Sequence, residues 1–142
     1  MIYFDTSALV KLVIKEPESA ALAAWLDGNI EQPRASSMLC RVELPRAVRP
    51  GGDVAYLRAQ MILGDLMQIP LTPELLDAAG SLPGPLRSLD AVHLATALRL
   101  RGDLYSLVAY DRRLLDAADS AGLPTASPGD AGGSAQAGFA VG

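Results

Sequence analysis

The feature that most constrains the fold of this sequence is a repeated alternation of short apolar segments with amphipathic helical segments. Residues 2–4 are large and apolar and indicate a buried strand, and Leu9, Leu12 and Val13 follow at helical spacing. Parallel strands need long crossover connections, usually helices, so this alternation is typical of a parallel sheet. The sequence therefore predicts an α/β fold in which helices cover both faces of a central parallel sheet.

The same alternation continues to about residue 126. Further strands are predicted at 34–36, 69–72, 104–111 and 123–127, and further helices within 16–28, 36–48, 53–68, 73–82, 88–102 and 112–122. Ser36 or Ser37 is predicted to cap the helix that contains Pro45. Because proline removes an amide donor and crowds the preceding turn, we expect a kink or an early end of that helix.

The chain is predicted to form one domain. Its 142 residues are enough for a substantial core, and the sequence from Ser127 onward is small, rich in glycine and alanine and without period. We predict a domain over residues 1–126 and a flexible tail over 127–142. Cys40 is the single cysteine, and the first residues do not resemble a signal peptide, so we expect a cytoplasmic protein.

Hydropathy and charge exclude two classes of protein. No segment reaches the roughly 18 apolar residues that a membrane-spanning helix needs, so no membrane association is expected. The formal net charge of −4 argues against a protein that coats nucleic acid generally, although a local basic rim beside an acidic site is compatible with it.

Four acidic residues from distant parts of the chain are predicted to meet at one edge of the sheet. Asp5 and Asp111 end the first and fourth predicted strands, and Glu43 and Asp90 lie early in helices that begin at the same edge. Sites in open parallel sheets lie beyond the carboxyl ends of the strands. Close carboxylates repel one another unless a cation lies between them, and oxygen ligands suit Mg²⁺ or Mn²⁺. We therefore expect a Mg²⁺ site in which Mn²⁺ can substitute.

Each acid also has a purely structural interpretation. Asp5 and Asp111 fit the N-cap positions of the helices that follow them. Asp90 is a favourable charge in a first helical turn, and Glu43 taken alone is an ordinary solvated helix acid. The joint placement of the four acids at one edge is what favours metal binding.

The motifs that carry these acids resemble a known family. The segments FDTSALVKL, SSMLCRVEL, LRSLDAVHLATAL and VAYDRRLLDAADSAGLP look like the successive motifs of PIN-domain ribonucleases, in particular VapC-type toxins of bacterial toxin–antitoxin pairs. The resemblance covers about residues 1–128, and its most specific part is DAVHLATA joined to YDRRL. It implies a PIN-like three-layer sandwich with four or five short parallel strands. Pro45 and the RPGGD segment depart from the uninterrupted helix that is usual in the family.

The resemblance also implies a role for each acid. Asp5, Asp90 and Asp111 would be the main metal ligands, and all three would be catalytic. Glu43 would be a further catalytic ligand or would orient the attacking water.

Five other residues are expected to support the site. Thr6 or Ser7 would hydrogen-bond the first carboxylate or a water on the metal. His93 is expected to pack or hydrogen-bond behind the site, because hard cations prefer oxygen ligands. Arg112 and Arg113 would contact phosphate or would simply be solvated.

The activity implied by the resemblance is that of a Mg²⁺-dependent endoribonuclease toxin that cuts structured RNA, often transfer RNA. A small antitoxin protein would silence it, and a homodimer is expected. Two other classes stay open. A phosphoacceptor signalling module would have a lysine near the far rim, and no lysine follows Lys15. A catalytically silent PIN-like interaction module has no need of the four acids, all of which are present.

Overall fold

A computed structural model describes residues 1–130 of the protein. Five short strands lie in this range: β1 (Ile2–Phe4), β2 (Arg34–Ser37), β3 (Met67–Ile69), β4 (Ser106–Val108) and β5 (Thr125–Ala126). They form one sheet in the order β3-β2-β1-β4-β5, and every neighbouring pair is parallel. The predicted parallel α/β sheet is confirmed.

Helices cover both faces of this sheet. They are α1 (Thr6–Val13), α2 (Ser19–Asp27), α3 (Cys40–Val48), α4 (Gly52–Gly64), α5 (Pro73–Gly80), α6 (Ser88–Arg99) and α7 (Arg112–Ser120). Ile2 and Phe4 pack on one face with the apolar sides of α1 to α4, whereas Tyr3 packs on the other face with α6 and α7. Because alternate residues of a strand point to opposite faces, one fully buried strand anchors both outer layers. The predicted three-layer arrangement is confirmed.

The start of α3 corrects one prediction. Neither Ser36 nor Ser37 occupies the cap position of the helix, since α3 begins at Cys40 after Leu39. The Ser36 hydroxyl is buried in β2 and donates to the carbonyl oxygen of Phe4 at 2.7 Å, and Ser37 Oγ accepts from the amide of Leu39 at 3.1 Å. A buried hydroxyl needs a partner, and the neighbouring strand supplies one for Ser36.

The expected early end of α3 at Pro45 is also wrong. The helix continues to Val48, and a short 3₁₀ turn (Arg49–Gly51) joins it to α4. A proline in a helix interior costs about 3 kcal/mol. Leu44 and Val48 are fully buried, and burying side chains of this size stabilises the fold by roughly 1.5–3 kcal/mol each. Packing of the helix against the core therefore carries it past the proline.

The predicted strands after the first differ from the structure in their bounds, two of them by several residues. The strand expected at 69–72 is β3 at Met67–Ile69, and the strand expected to reach Asp111 ends at Val108. Of the tail expected at 127–142, residues 131–142 lie outside the described residues. Ser127 is buried, and the Tyr110 hydroxyl donates to the Pro128 carbonyl at 2.7 Å. No helix within residues 1–130 is long and apolar enough to cross a membrane.

Candidate active site

The four predicted site acids lie at the carboxyl edge of the sheet. Asp5 directly follows β1, and Asp111 lies three residues after the end of β4. Glu43 and Asp90 lie in the first turns of α3 and α6. Electrostatic repulsion couples Asp90 to Asp5, to Asp111 and to Glu43. The fold therefore brings four acids that are distant in sequence into one electrostatic cluster.

Asp5 is both a helix cap and a buried charge. Its side chain caps α1 by accepting from the amide of Ala8 at 3.0 Å, and the Ser7 hydroxyl lies 2.7 and 2.9 Å from its two oxygens. The residue is only 3 % exposed. Burial raises the pKa of Asp5 to about 6 even though nearby His93 and the bonds from Ser7 and Ala8 act in the opposite direction. The structural and functional interpretations of Asp5 are thus compatible.

Ser7 connects the same carboxylate to the segment that follows β4. Besides donating to Asp5, the Ser7 oxygen accepts from the backbone amide of Tyr110 at 3.1 Å. Of the two hydroxyls expected near Asp5, Ser7 is the one that contacts it. The hydroxyl of Thr6 instead donates to Oε1 of Glu43.

Glu43 is held through one of its two oxygens. Oε1 accepts from Thr6 and lies 2.8 Å from Nε2 of His93, whereas Oε2 receives no hydrogen bond from residues 1–130. Partial burial acts to raise the pKa of Glu43, but the bonds from His93 and Thr6 outweigh it and the pKa lies below its usual value. Glu43 is therefore an ionised acceptor with one free oxygen, and Pro45 does not displace it from the edge.

His93 lies behind this carboxylate and joins it to the core. The ring is 2 % exposed, and its Nδ1 atom lies 2.7 Å from the hydroxyl of Tyr3. Because a carboxylate only accepts, Nε2 carries a proton and donates to Glu43, and Nδ1 shares a hydrogen bond with the Tyr3 hydroxyl. A buried chain of hydrogen bonds runs from Tyr3 through His93 to Glu43.

Sequence reasoning assigned Tyr3 only to the core strand. The signal that could have found it is the hydroxyl itself, since a tyrosine in a fully buried strand needs a hydrogen-bond partner.

Asp90 and Asp111 form a more loosely held pair. No residue within 1–130 hydrogen-bonds the Asp90 carboxylate, and its pKa is raised by partial burial and then by the charge of Asp111. Asp111 caps α7 by accepting from the amide of Leu114 at 3.0 Å, and its other oxygen lies 4.0 Å from the guanidinium of Arg87. Arg87, which sequence reasoning missed, is largely exposed, so we expect this ion pair to contribute little stability.

The two predicted RNA-contacting arginines lie at the start of α7. The Arg112 guanidinium lies 3.8 Å from carboxylate oxygens of both Asp116 and Asp130, so its charge is partly offset. Arg113 is exposed on the same helix.

The carboxylate oxygens of the four acids are ligands that suit a hard divalent cation, but they are not arranged as a complete metal centre. Among residues 1–130, no group of three or more His, Cys, Asp and Glu side chains is arranged so that it could hold a metal ion. The raised pKa values of Asp5 and Asp90 mean that their ionised forms cost free energy, which a cation would relieve.

Comparison with known proteins places this arrangement in a family. A family model of the PIN domain matches residues 2–120. The chain belongs to the PIN-domain family. It is 45 % identical over 133 residues to Ribonuclease VapC47 of Mycobacterium tuberculosis (strain CDC 1551 / Oshkosh), covering 91 % of this chain and 98 % of that protein.

Other proteins give the same result. Ribonuclease VapC46 of Mycobacterium tuberculosis (strain ATCC 25618 / H37Rv) is 44 % identical over 128 residues, covering 89 % of this chain and 97 % of that protein. The crystal structure of VapC20 from Mycobacterium tuberculosis, a Sarcin-Ricin loop cleaving toxin, matches with a TM-score of 0.68 at 19 % identity, covering 87 % of this chain and 96 % of that one. The predicted resemblance to VapC-type PIN domains is confirmed.

Proposed function

We propose that this protein is a Mg²⁺-dependent endoribonuclease and the toxin of a bacterial toxin–antitoxin pair. The observation that carries the proposal is the electrostatic cluster of Asp5, Glu43, Asp90 and Asp111 at the carboxyl edge of the sheet. The VapC relatives, which match nearly end to end, are named ribonucleases. PIN-domain ribonucleases of this type generally depend on a divalent metal.

Asp5, Asp90 and Asp111 would hold the cation, and Mn²⁺ would substitute for Mg²⁺. When bound, such a cation stabilises negative charge on phosphate oxygens and lowers the pKa of water. Oxygen donors of this kind suit either metal. Because no residue within 1–130 hydrogen-bonds the Asp90 carboxylate, both of its oxygens are left to bind such a cation.

The role that we assign to Glu43 is to orient the attacking water. Thr6 and His93 occupy Oε1, so Oε2 is left to accept a hydrogen bond from that water. Tyr3 holds the His93 ring from behind, at 2.7 Å from Nδ1. Tyr3 and His93 are therefore positioning residues, which act through Glu43 and do not touch the substrate.

The proposed substrate is structured RNA in the cytoplasm, with transfer RNA as the first substrate to test. Hydrolysis of a phosphodiester needs charge stabilisation and an aligned water, both of which the carboxyl edge can provide. The similarity to VapC20, at 19 % identity, supports the fold alone. The Sarcin-Ricin loop, which VapC20 cleaves, is therefore not the target proposed for this protein.

The proposed partner is a small antitoxin, since VapC toxins pair with VapB antitoxins. An arginine or lysine of such a protein would relieve the repulsion among the carboxylates. Its apolar helix would cover Val54, Leu57 and Met61 of α4, whose side chains are 71, 61 and 72 % exposed and lie three and four residues apart. We also propose a homodimer, which light scattering of the purified chain would test.

The deciding experiment is brief expression in bacteria, followed by sequencing of the newly formed RNA ends. Wild-type protein is expected to stop growth and to create new ends at a few RNA sites, and the antitoxin encoded in a neighbouring short reading frame is expected to restore growth. Asp90→Asn should create no ends, whereas Asp77→Asn, which changes an exposed acid of α5, should behave as wild type. The absence of new ends from wild-type protein would support the silent interaction module instead, and equal new ends from wild type and Asp90→Asn would contradict the role of Asp90.

A further inference from the structure

A second feature of the molecule is a groove on the outer side of α3. It has a volume of about 590 Å³ and lies between α3, α4 and β3. We call it the arginine groove, because its principal lining residues are Arg41, Arg46, Arg49, Tyr56, Gln60 and Gln68. Neither the sequence motifs nor the carboxylate cluster accounts for it.

The groove concentrates positive charge on a protein whose net charge is −4. None of its described lining residues is acidic. Arg41, Arg46 and Arg49 are exposed, and none of them forms an ion pair with another residue in the range 1–130. Arg41 donates only a neutral hydrogen bond, to Oε1 of Gln68 at 3.3 Å. An anion that entered the groove would therefore meet guanidinium groups without competing carboxylates.

The groove and the candidate active site share helix α3, which carries Glu43 and, with the turn that extends it, the three groove arginines. Arg41, Pro45 and Arg49 recur every four residues, so they share one face of α3 and the turn that extends it. Arg46 also lines the groove and lies three residues after Glu43, which makes the two neighbours on the helix surface. An RNA strand bound at Glu43 therefore lies one helical turn from Arg46, the groove arginine that neighbours this acid on α3.

We propose that the arginine groove binds the backbone phosphates of the RNA substrate on one side of the cleaved bond. The inference rests on the proposed ribonuclease function. Guanidinium groups bind phosphate oxygens through paired hydrogen bonds, and single-stranded RNA binds where cations alternate with exposed aromatic rings. Tyr56 is 44 % exposed beside the arginines and serves as the surface on which a base stacks. An acidic polypeptide would use the same cations but would gain little from Tyr56.

The test compares two triple variants of equal charge. One is Arg41→Gln/Arg46→Gln/Arg49→Gln, and the matched control is Arg34→Gln/Arg58→Gln/Arg99→Gln, which lies outside the groove. Binding of a short fluorescent single-stranded RNA and of bulk transfer RNA is measured in chelator over a range of salt, with the RNA checked for integrity. The groove variant should bind about tenfold more weakly or worse, and its salt slope should fall by about 2, since each lost phosphate contact removes about 0.7 for single strands.

A single variant separates stacking from charge. Tyr56→Leu should weaken RNA binding several-fold at every salt concentration and leave the salt slope unchanged, because stacking releases no counterions. Melting curves of all variants establish that they fold.

The outcomes distinguish this inference from the proposed function. If wild-type protein cleaves RNA with Mg²⁺ but the two triple variants bind RNA equally, the groove assignment is wrong and the function stands. If wild-type protein binds RNA through the groove but never cleaves it, the function fails alone. A groove variant that loses affinity for polyglutamate but not for RNA would overturn the assignment in favour of an acidic polypeptide.

Discussion

Glu43 and Asp90 are two half-buried carboxylates of the same sheet edge, yet their pKa values shift in opposite directions. Burial acts to raise both. Glu43 accepts hydrogen bonds from His93 and Thr6, which bring its pKa below the usual value. Asp90 accepts none within residues 1–130 and faces the charge of Asp111, so its pKa is raised. The hydrogen-bond donors and neighbouring charges, rather than the depth of burial, decide the direction in which each pKa shifts.

This difference divides the edge into a fixed half, Glu43, which is held by side-chain hydrogen bonds to the core, and an adjustable half, Asp90 and Asp111, which is not. Hydrogen bonds link Glu43 through His93 to Tyr3 in the core. These bonds fix the position of its other oxygen, Oε2. Asp90 and Asp111 repel each other and lack such support. No preassembled metal-binding group lies within residues 1–130, and the acids expected to bind metal include Asp90 and Asp111, which repel each other.

The largest expected effect comes from the adjustable half. Asp90→Asn keeps the size of the side chain but removes one negative charge, so RNA cleavage with Mg²⁺ should fall on the order of a thousandfold or more. Stability in chelator should be equal or higher, because repulsion is relieved. Cleavage rates and melting curves measure both, with Asp77→Asn as the matched control. An active but destabilised Asp90→Asn would show that Asp90 is only a favourable helix charge.

Asp5 should make the stability of the metal-free protein depend on pH. Its pKa is about 6 in the folded chain against 3.8 ordinarily, so the folded state binds the proton more tightly. Protonated Asp5 therefore contributes about 3 kcal/mol to the free energy of unfolding at low pH. This contribution is lost as the pH rises through about 4 to 6. Urea unfolding in chelator should show Asp5→Asn gaining most of this amount on wild type between about pH 4 and pH 7. A difference that is constant over this range would contradict the raised pKa.

Added Mg²⁺ should stabilise the folded protein by slightly less than the amount that Asp5 contributes at low pH. A ligand that binds only the folded state contributes about 2.7 kcal/mol at a concentration of one hundred times its Kd. Thermal melts with and without Mg²⁺ should show an upward shift for wild type and for Asp77→Asn, and little shift for Asp5→Asn. An equal shift in all three proteins would place the cation elsewhere. This readout does not depend on finding the RNA target.

The smallest expected effect comes from loosening the fixed half. Tyr3→Phe removes one buried hydroxyl and leaves Nδ1 of His93 without its partner, which should cost about 1–3 kcal/mol of stability. If the hydrogen bonds from Tyr3 through His93 position Glu43, kcat should also fall several-fold with KM unchanged. A stability loss with unchanged kcat would restrict Tyr3 to a structural role. Ser36→Ala, which removes a buried hydroxyl of β2 that donates to the Phe4 carbonyl, is the control for stability alone.

Much of the fold and the cluster of acids could be predicted from sequence. Apolar runs and helical spacing are local signals, and the order of strands and helices they gave is the observed one. Chain order also indicated that Asp5 and Asp111 share an edge, because parallel strands all end on the same side. The cap positions of both residues follow from side-chain type and place in the chain, and the structure has both.

Tertiary structure alone decided how the acids differ. The continuation of α3 through Pro45 depends on the burial of Leu44 and Val48, which no local propensity contains. The lowered pKa of Glu43 depends on His93, 50 residues away, and the bond to Tyr3 spans 90 residues. Local sequence fixes which groups a chain carries and which elements they lie in. Hydrogen bonds and charge interactions act over a few ångströms, so their partners are known only after the chain has folded.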